Sequence, residues 1–407
     1  MSDKVIIIGG SHAAVACADH LRKNSFAGPI TIHSREAELP YQRPPLSKGY
    51  MSGAVTLDRL HLRPQIWYAD NQIELRLSSA ITSINRQTKE VVTDSGERHE
   101  YGALVLATGA DARQLPADLG GALPNAHVMR DIEDAHALMK MMEPGKRIVI
   151  IGGGYIGLEA AAEASKSGMA VTLIEAAPRI LQRVACEQTA DVIRALHQEH
   201  GVAIMEDAQI TGILACDDGL ANAVHLADGQ SLQCDLVIVG IGISPNTQLA
   251  LAAGLDVAVG VSVDEFGRTS DPDIYACGDC TVLPMNNMPT RLESVQNAHD
   301  QAAVVAQNIA GKYSRYYPEP WFWSDQYDMK LQIAGLNRGY DTVVVRPGKR
   351  KGAVSHFYFK GEKFLAVDCL NDGATYMICR KLLAGAKQLA PTVATDTDFD
   401  LRGLLKG

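Results

Sequence analysis

Nothing in the 407 residues approaches the ~18 consecutive apolar residues that a membrane span needs. The N-terminus offers only four apolar residues, Val5 to Ile8, before Gly9. That is too short for the core of a secretory signal, and no small-residue cleavage site follows. A basic excess is missing too: 38 Lys and Arg against 47 Asp and Glu leave a formal charge of −9, the wrong sign for a nucleic-acid binder. Cysteine is scarce, and its eight positions (17, 186, 216, 234, 277, 280, 369 and 379) are scattered through apolar stretches rather than spaced as a disulfide framework. The twelve histidines show no H-E-x-x-H or comparable ligand spacing, and no Ser-His-Asp set stands out, so a metal site and a hydrolytic triad are both disfavoured. With 46% apolar and 21% charged residues, disorder is excluded as well. The expectation is a cytoplasmic globular protein of two or three domains.

What is present is a repeat. Val5-Ile-Ile-Ile-Gly-Gly-Ser-His-Ala-Ala14, running on to Ile30-Thr-Ile-His33, is echoed 143 residues later by Ile148-Val-Ile-Ile-Gly-Gly-Gly-Tyr-Ile-Gly157, running on to Val171-Thr-Leu-Ile-Glu175. Each copy reads as a short apolar strand, a glycine turn, an Ala-rich helix and a second strand. Two such βαβ units predict an α/β chain with two parallel-sheet, Rossmann-like nucleotide-binding domains.

The second copy carries the stronger signal. Gly152-x-Gly154-x-x-Gly157 follows a strand and opens a helix, with Glu175 eighteen residues past the last glycine. Gly152 permits the tight turn, Gly154 lets a pyrophosphate approach the backbone, and Gly157 allows close helix–strand packing. The helix start offers N–H groups and a positive dipole to the phosphates. A carboxylate at 175 accepts from an adenosine ribose 2′-OH and repels a 2′-phosphate, and 176–178 are Ala-Ala-Pro with no Arg, so NADH is favoured over NADPH. The first copy is degenerate: Gly9 is kept, but Ser11 and Ala14 replace the second and third glycines, and Arg35 and Glu36 stand where one carboxylate is expected.

Three further phrases follow in order: Leu104-Val-Leu-Ala-Thr-Gly109, Leu236-Val-Ile-Val-Gly-Ile-Gly242 with Ser-Pro-Asn246 after it, and Thr269-Ser-Asp-Pro-Asp-Ile-Tyr-Ala-Cys-Gly-Asp279. Each alone is an ordinary strand and turn. In this order they resemble the FAD and NAD(P)H reductases of the glutathione-reductase architecture. Pro40-Tyr-Gln-Arg-Pro-Pro-Leu-Ser-Lys48, Arg291-Leu-Glu-Ser-Val-Gln-Asn297 and Pro320-Trp-Phe-Trp-Ser-Asp-Gln326 narrow the resemblance to the NADH-dependent ferredoxin reductases of bacterial oxygenase systems, over residues 4 to about 380.

That resemblance implies FAD and NADH as cofactors and a [2Fe–2S] ferredoxin as electron acceptor. It places Ala13, Lys48, Ile81, Arg130, Asp279 and Val295 at flavin-contacting positions. Gly9, Ser11, His12, Ala14, Arg35, Glu36, Arg43, Ala107, Thr108, Gly109 and Gly278 are further candidates for the flavin dinucleotide. Gly152, Gly154, Tyr155, Ile156, Gly157, Glu175, Arg183 and Gly242 are the candidates for NADH. Lys48 and Glu159 match a pair beside the isoalloxazine, and Trp323 an aromatic over its edge; these three are the candidate catalytic residues. A structural ion pair is the plainer alternative for Lys48 and Glu159. Hydride transfer needs stacked rings and excluded water rather than a nucleophile, in keeping with the absences above.

Cys277-Gly-Asp-Cys280 has the C-x-x-C spacing of a redox dithiol, but it straddles the flavin turn and 43–48 holds no cysteine, so a disulfide reductase is disfavoured. A rubredoxin reductase and a slow flavin-binding signalling protein are the other rivals. The expected domains are 1–110 with 243–317 for FAD, 111–242 for NADH, and a smaller α+β C-terminal domain at 318–407. Ferredoxins of this type are acidic, so Arg63, Arg291, Lys330 and Arg338 are expected to form a local basic patch for transient docking.

Overall fold

The computed structural model describes residues 3–285 and 288–405. The chain divides into two compact units: 1–43, 57–111 and 243–318 form one, and 44–56, 112–242 and 319–407 form the other.

The first unit is built on a five-stranded parallel sheet in the order Ile274–Ala276, Ala103–Leu106, Val5–Ile8, Ile30–His33, Ile73–Arg76. The central strand Val5–Ile8 is buried along its whole length, which is why it reads as an unbroken apolar run rather than an alternation. Helix His12–Lys23 packs on one face with helix Val295–Ile309 through Ala14, Cys17, Ala18, Ala302 and Ala306, small residues that let two helices approach closely. On the other face Ile6, Ile8, Leu104 and Leu106 meet Tyr101, Val261 and Leu283.

In the second unit the same plan recurs. Its parallel sheet runs Ala203–Met205, Ala170–Ile174, Arg147–Ile151, Leu236–Val239, Ala126–His127. The helix Tyr155–Lys166 leaves the glycine turn, and Glu187–Glu199 follows the second strand. The same unit holds a five-stranded antiparallel sheet in the order Trp321–Gln326, Met329–Gly335, Lys363–Leu370, Val354–Lys360, Thr342–Pro347. Its hairpin turns at Lys360-Gly-Glu-Lys363, with Gly361 at φ +54°, as the polar turn sequence predicts. Helix Gly373–Ala384 covers it around Phe357, Phe359, Val367, Cys379 and Leu382. The α/β plan with two Rossmann-like sheets and a smaller α+β part is therefore the fold observed.

Candidate active site

The first glycine turn is tight. Gly9 sits at φ +130°, and a Cβ there would stand 2.1 Å from the Ala107 carbonyl oxygen. The following helix starts at Ser11, whose hydroxyl does not cap it but lies 3.4 Å from Nδ1 of His12. Ala13 and Ala14 are buried, and a Cβ on Gly278 (φ +83°) would come within 3.1 Å of Ala13. The Gly278-Asp279 turn is thus set directly against the helix start. Gln301, buried on the long helix, accepts the Gly278 N–H at 2.9 Å, a support that no motif reveals. Val295 opens that helix behind its N-cap Ser294. Thr108 and Asn246 exchange two hydrogen bonds, 2.8 and 3.0 Å, which lock Gly109 (φ +65°) at its strand end. Ile81 is buried at the head of its own strand.

The Gly9 N–H donates to the His33 carbonyl just as Gly152 N–H donates to Ile174, so in strand register Ser34 stands where Glu175 does, with Arg35 and Glu36 directly after it. A Cβ on Gly10 would stand 2.2 Å from the Ser34 hydroxyl. Arg35 instead pairs with Asp111, and the Glu36 carboxylate takes the Tyr41 hydroxyl at 2.5 Å and the Arg43 guanidinium.

In the second copy each glycine has its own reason. Gly152 lies at φ +112° with a Cβ position 2.4 Å from the Gly240 carbonyl oxygen, and a Cβ on Gly157 would be 2.0 Å from the Gly152 oxygen. Gly154, by contrast, has nothing within 4 Å of where a Cβ would be, and no side chain caps the helix it opens. An open, uncapped helix start of this kind fits a pyrophosphate. Glu175 accepts the Gly153 N–H at 2.7 Å and the Ala177 N–H at 2.8 Å, so it closes the turn while each oxygen keeps a further lone pair for a ribose hydroxyl. Arg183 is exposed, its guanidinium 3.6 Å from the Cβ position of Gly242. Ile156 is exposed, and Tyr155 packs its ring 4.8 Å from Phe322 with its hydroxyl buried. Arg130 precedes the N-cap Asp131, its backbone N–H held by Asp134 at 2.8 Å.

Lys48, Glu159 and Trp323, far apart in sequence, do meet. The Lys48 ammonium lies 3.0 Å from Oε1 of Glu159 and 6.0 Å from the Trp323 ring centroid. The turn Pro44–Ser47 delivers Lys48, and its Ser47 hydroxyl donates to Oε2 of Glu159 at 2.7 Å. Ser324 donates to Oε1 at the same distance. Glu159 is 3% exposed, and burial pushes its carboxyl up while Lys48 and the two serines pull it back. Both serines went unnoticed by motif reading, although they flank Lys48 and Trp323 in the quoted phrases.

The C-x-x-C thiols are buried and free. Burial pushes both up, Cys277 most strongly, which is the opposite of a poised thiolate. Among the described residues no His, Cys, Asp and Glu group could hold a metal. Of the expected basic patch, Arg63 pairs with Asp19 at 3.0 Å and Arg291 with Glu293, so at least these two charges are already answered locally.

Two Rossmann-like turns, one buried Lys–Glu pair and no dithiol define a flavin- and pyridine-nucleotide-type oxidoreductase. The chain belongs to the pyridine nucleotide-disulphide oxidoreductase family, whose model matches residues 3–302, and a "Reductase C-terminal" model matches 321–405. It is 41% identical over 400 residues to rhodocoxin reductase of Rhodococcus erythropolis, covering 98% of this chain and 93% of that one. It is 40% identical over 408 residues to a ferredoxin–NAD(P)+ reductase of Sphingomonas sp, covering 98% and 97%. A covalent complex of putidaredoxin reductase with putidaredoxin matches with a TM-score of 0.96 at 38% identity, covering 99% and 98%.

Proposed function

We propose that this chain oxidises NADH through FAD and passes electrons one at a time to a small acidic [2Fe–2S] ferredoxin. The ferredoxin in turn serves a haem monooxygenase or a ring-hydroxylating dioxygenase. The observation that carries this reading is the buried Glu159, held by Lys48, Ser47 and Ser324 beside Trp323 with no reactive dithiol in the chain's C-x-x-C. Relatives named for rhodocoxin, ferredoxin and putidaredoxin support it. When bound, FAD supplies the conversion of a two-electron hydride into single electrons.

The chain's own residues do the rest. Gly9, Ala107, Ala13 and the Gly278-Asp279 turn seat one dinucleotide; Gly152, Gly154 and Gly157 seat the other. Glu175 accepts from the NADH ribose, Lys48 brings positive charge to the reacting rings, Glu159 fixes Lys48, and Trp323 shields the site from water. Eight unpaired cysteines support a cytoplasmic location. Cytochrome c reduction driven by NADH, with candidate [2Fe–2S] ferredoxins and rubredoxins as carriers, tests the reading; turnover with rubredoxin alone overturns it. NADH should exceed NADPH in kcat/KM by at least about tenfold, because Glu175 repels a 2′-phosphate.

A further inference from the structure

The Glu159 carboxylate is the end of a longer chain. Ser324 donates to Oε1 of Glu159 at 2.7 Å, Gln326 Nε2 lies 3.1 Å from the Ser324 oxygen, and His197 Nε2 lies 2.8 Å from Gln326 Oε1. All four side chains are at most 3% exposed. Ser324 and Gln326 come from the strand Trp321–Gln326, two residues apart and therefore on one face; His197 comes from the helix Glu187–Glu199.

The direction of the chain is forced by chemistry. A carboxylate only accepts, so the lone Ser324 proton goes to Glu159 and the Ser324 oxygen must accept from an amide N–H. That turns the Gln326 oxygen toward His197, whose Nε2 must then carry the proton, leaving Nδ1 bare. His197 Nδ1 is buried without a partner, which a bare ring nitrogen tolerates better than a stranded N–H. Every dipole then points at the carboxylate.

We propose that Gln326 and His197 are positioning residues for hydride transfer: through Ser324 they orient the Glu159 carboxylate on Lys48. The proposal rests on the reading of Lys48–Glu159 as the active pair. The titratable groups facing Glu159 are Lys48 and, on its own helix, Tyr155; those facing His197 are His200, just past the end of its helix, and Tyr327, ring to ring at 5.2 Å, from the turn after the strand Trp321–Gln326.

The test combines kinetics with a spectroscopic signature. In single-turnover reduction of the holoenzyme by NADH, Gln326→Leu and His197→Met should slow flavin reduction about tenfold. They should also move its acid limb about one pH unit upward, since a carboxylate that loses donors is protonated more readily. His197→Gln keeps an N–H near the Nε2 position and should restore both. NAD+ affinity of the oxidised protein should change less than about twofold in all three variants. Independently, two-bond 15N–1H NMR of wild type, with His197→Gln as the assignment control, should show His197 as the neutral Nε2–H tautomer at pH 6. A His197 protonated on Nδ1, or slowing with an unmoved acid limb, overturns the proposal. If Glu159→Gln is reduced at the wild-type rate, the reading of the active pair fails first; a wrong tautomer with a slow Glu159→Gln sinks the chain alone.

Discussion

Glu175 shows how one side chain serves two ends. On the proposed reading it accepts from the NADH ribose on the outside, while its two oxygens hold the Gly153 and Ala177 N–H groups from inside. Glu175→Ala should therefore raise the NADH KM about tenfold and weaken NADPH as well, because the turn itself loosens. Steady-state kinetics with both cofactors check this, and an unchanged NADPH KM would mean the two backbone bonds are idle. Cys277 and Cys280 are the opposite case, residues with a suggestive spacing and no reactive environment. Buried thiols pushed up by burial are packing atoms, so Cys277→Ser and Cys280→Ser should leave NADH-driven reduction of ferricyanide within a few-fold of wild type. Titration of the NADH-reduced enzyme with a thiol reagent should find no additional pair of reactive thiols.

Within an element, the three glycines of one turn divide into structural and ligand-facing roles. Gly152→Ala forces a left-handed φ and a 2.4 Å contact on a carbonyl oxygen, and should cost about 1–3 kcal/mol of stability. Gly154→Ala meets nothing in the protein and should leave the unfolding midpoint within about 1 °C, yet raise the NAD+ dissociation constant, because the methyl stands where a pyrophosphate approaches. Thermal melts and NAD+ titrations of the two variants separate these outcomes. A helix start can also be closed from elsewhere. Cys186, a poor N-cap, makes no side-chain cap for the helix Glu187–Glu199; the Tyr358 hydroxyl accepts its N–H at 2.8 Å, and Thr189 in the first turn donates to Asp368 at 2.8 Å.

Over the whole molecule, buried titratable groups set the response to acid. Burial holds His33, His197 and His356 down at about 4, against about 6.5 when unfolded. Between those values the unfolded chain binds more protons, so stability falls as pH drops from 6.5 toward 4. Asp368, pushed up by burial to about 7, works the other way, since the native state binds the extra proton between pH 4 and 7. With Glu159, also pushed up by burial, on the side of Asp368, the three histidines still predict a net loss of stability on acidification. Urea unfolding from pH 4.5 to 7.5 checks the sign, and His356→Gln should flatten the slope. The charge of −9 matters for the partner. If the expected basic patch steers the partner, then with Arg63 and Arg291 tied to carboxylates the exposed Lys330 should carry more of the attraction, and Lys330→Glu should raise the ferredoxin KM several-fold. It should flatten the salt dependence while ferricyanide reduction is unchanged.

The pairing of Lys48 with Glu159 came only with the family resemblance; the sequence by itself determined the parallel sheets, both glycine turns and the cofactor type. Those features rest on local rules: buried parallel strands are written as continuous apolar runs, and a tight phosphate turn admits only glycine where φ is positive or a carbonyl lies against the Cβ position. Tertiary structure alone decided which residue follows the first copy's second strand. Ser34 takes that place because strand register, not spacing from the glycines, aligns His33 with Ile174. It also decided that Ser47 and Ser324 hold one carboxylate, and that Gln326 and His197 stand in line behind Ser324. Serine, glutamine and histidine carry no periodic signal, and their hydrogen bonds span up to 165 residues of chain. A buried charge must be met by whatever donors the packed elements bring to it, and that is settled only once the strand and two helices are in place.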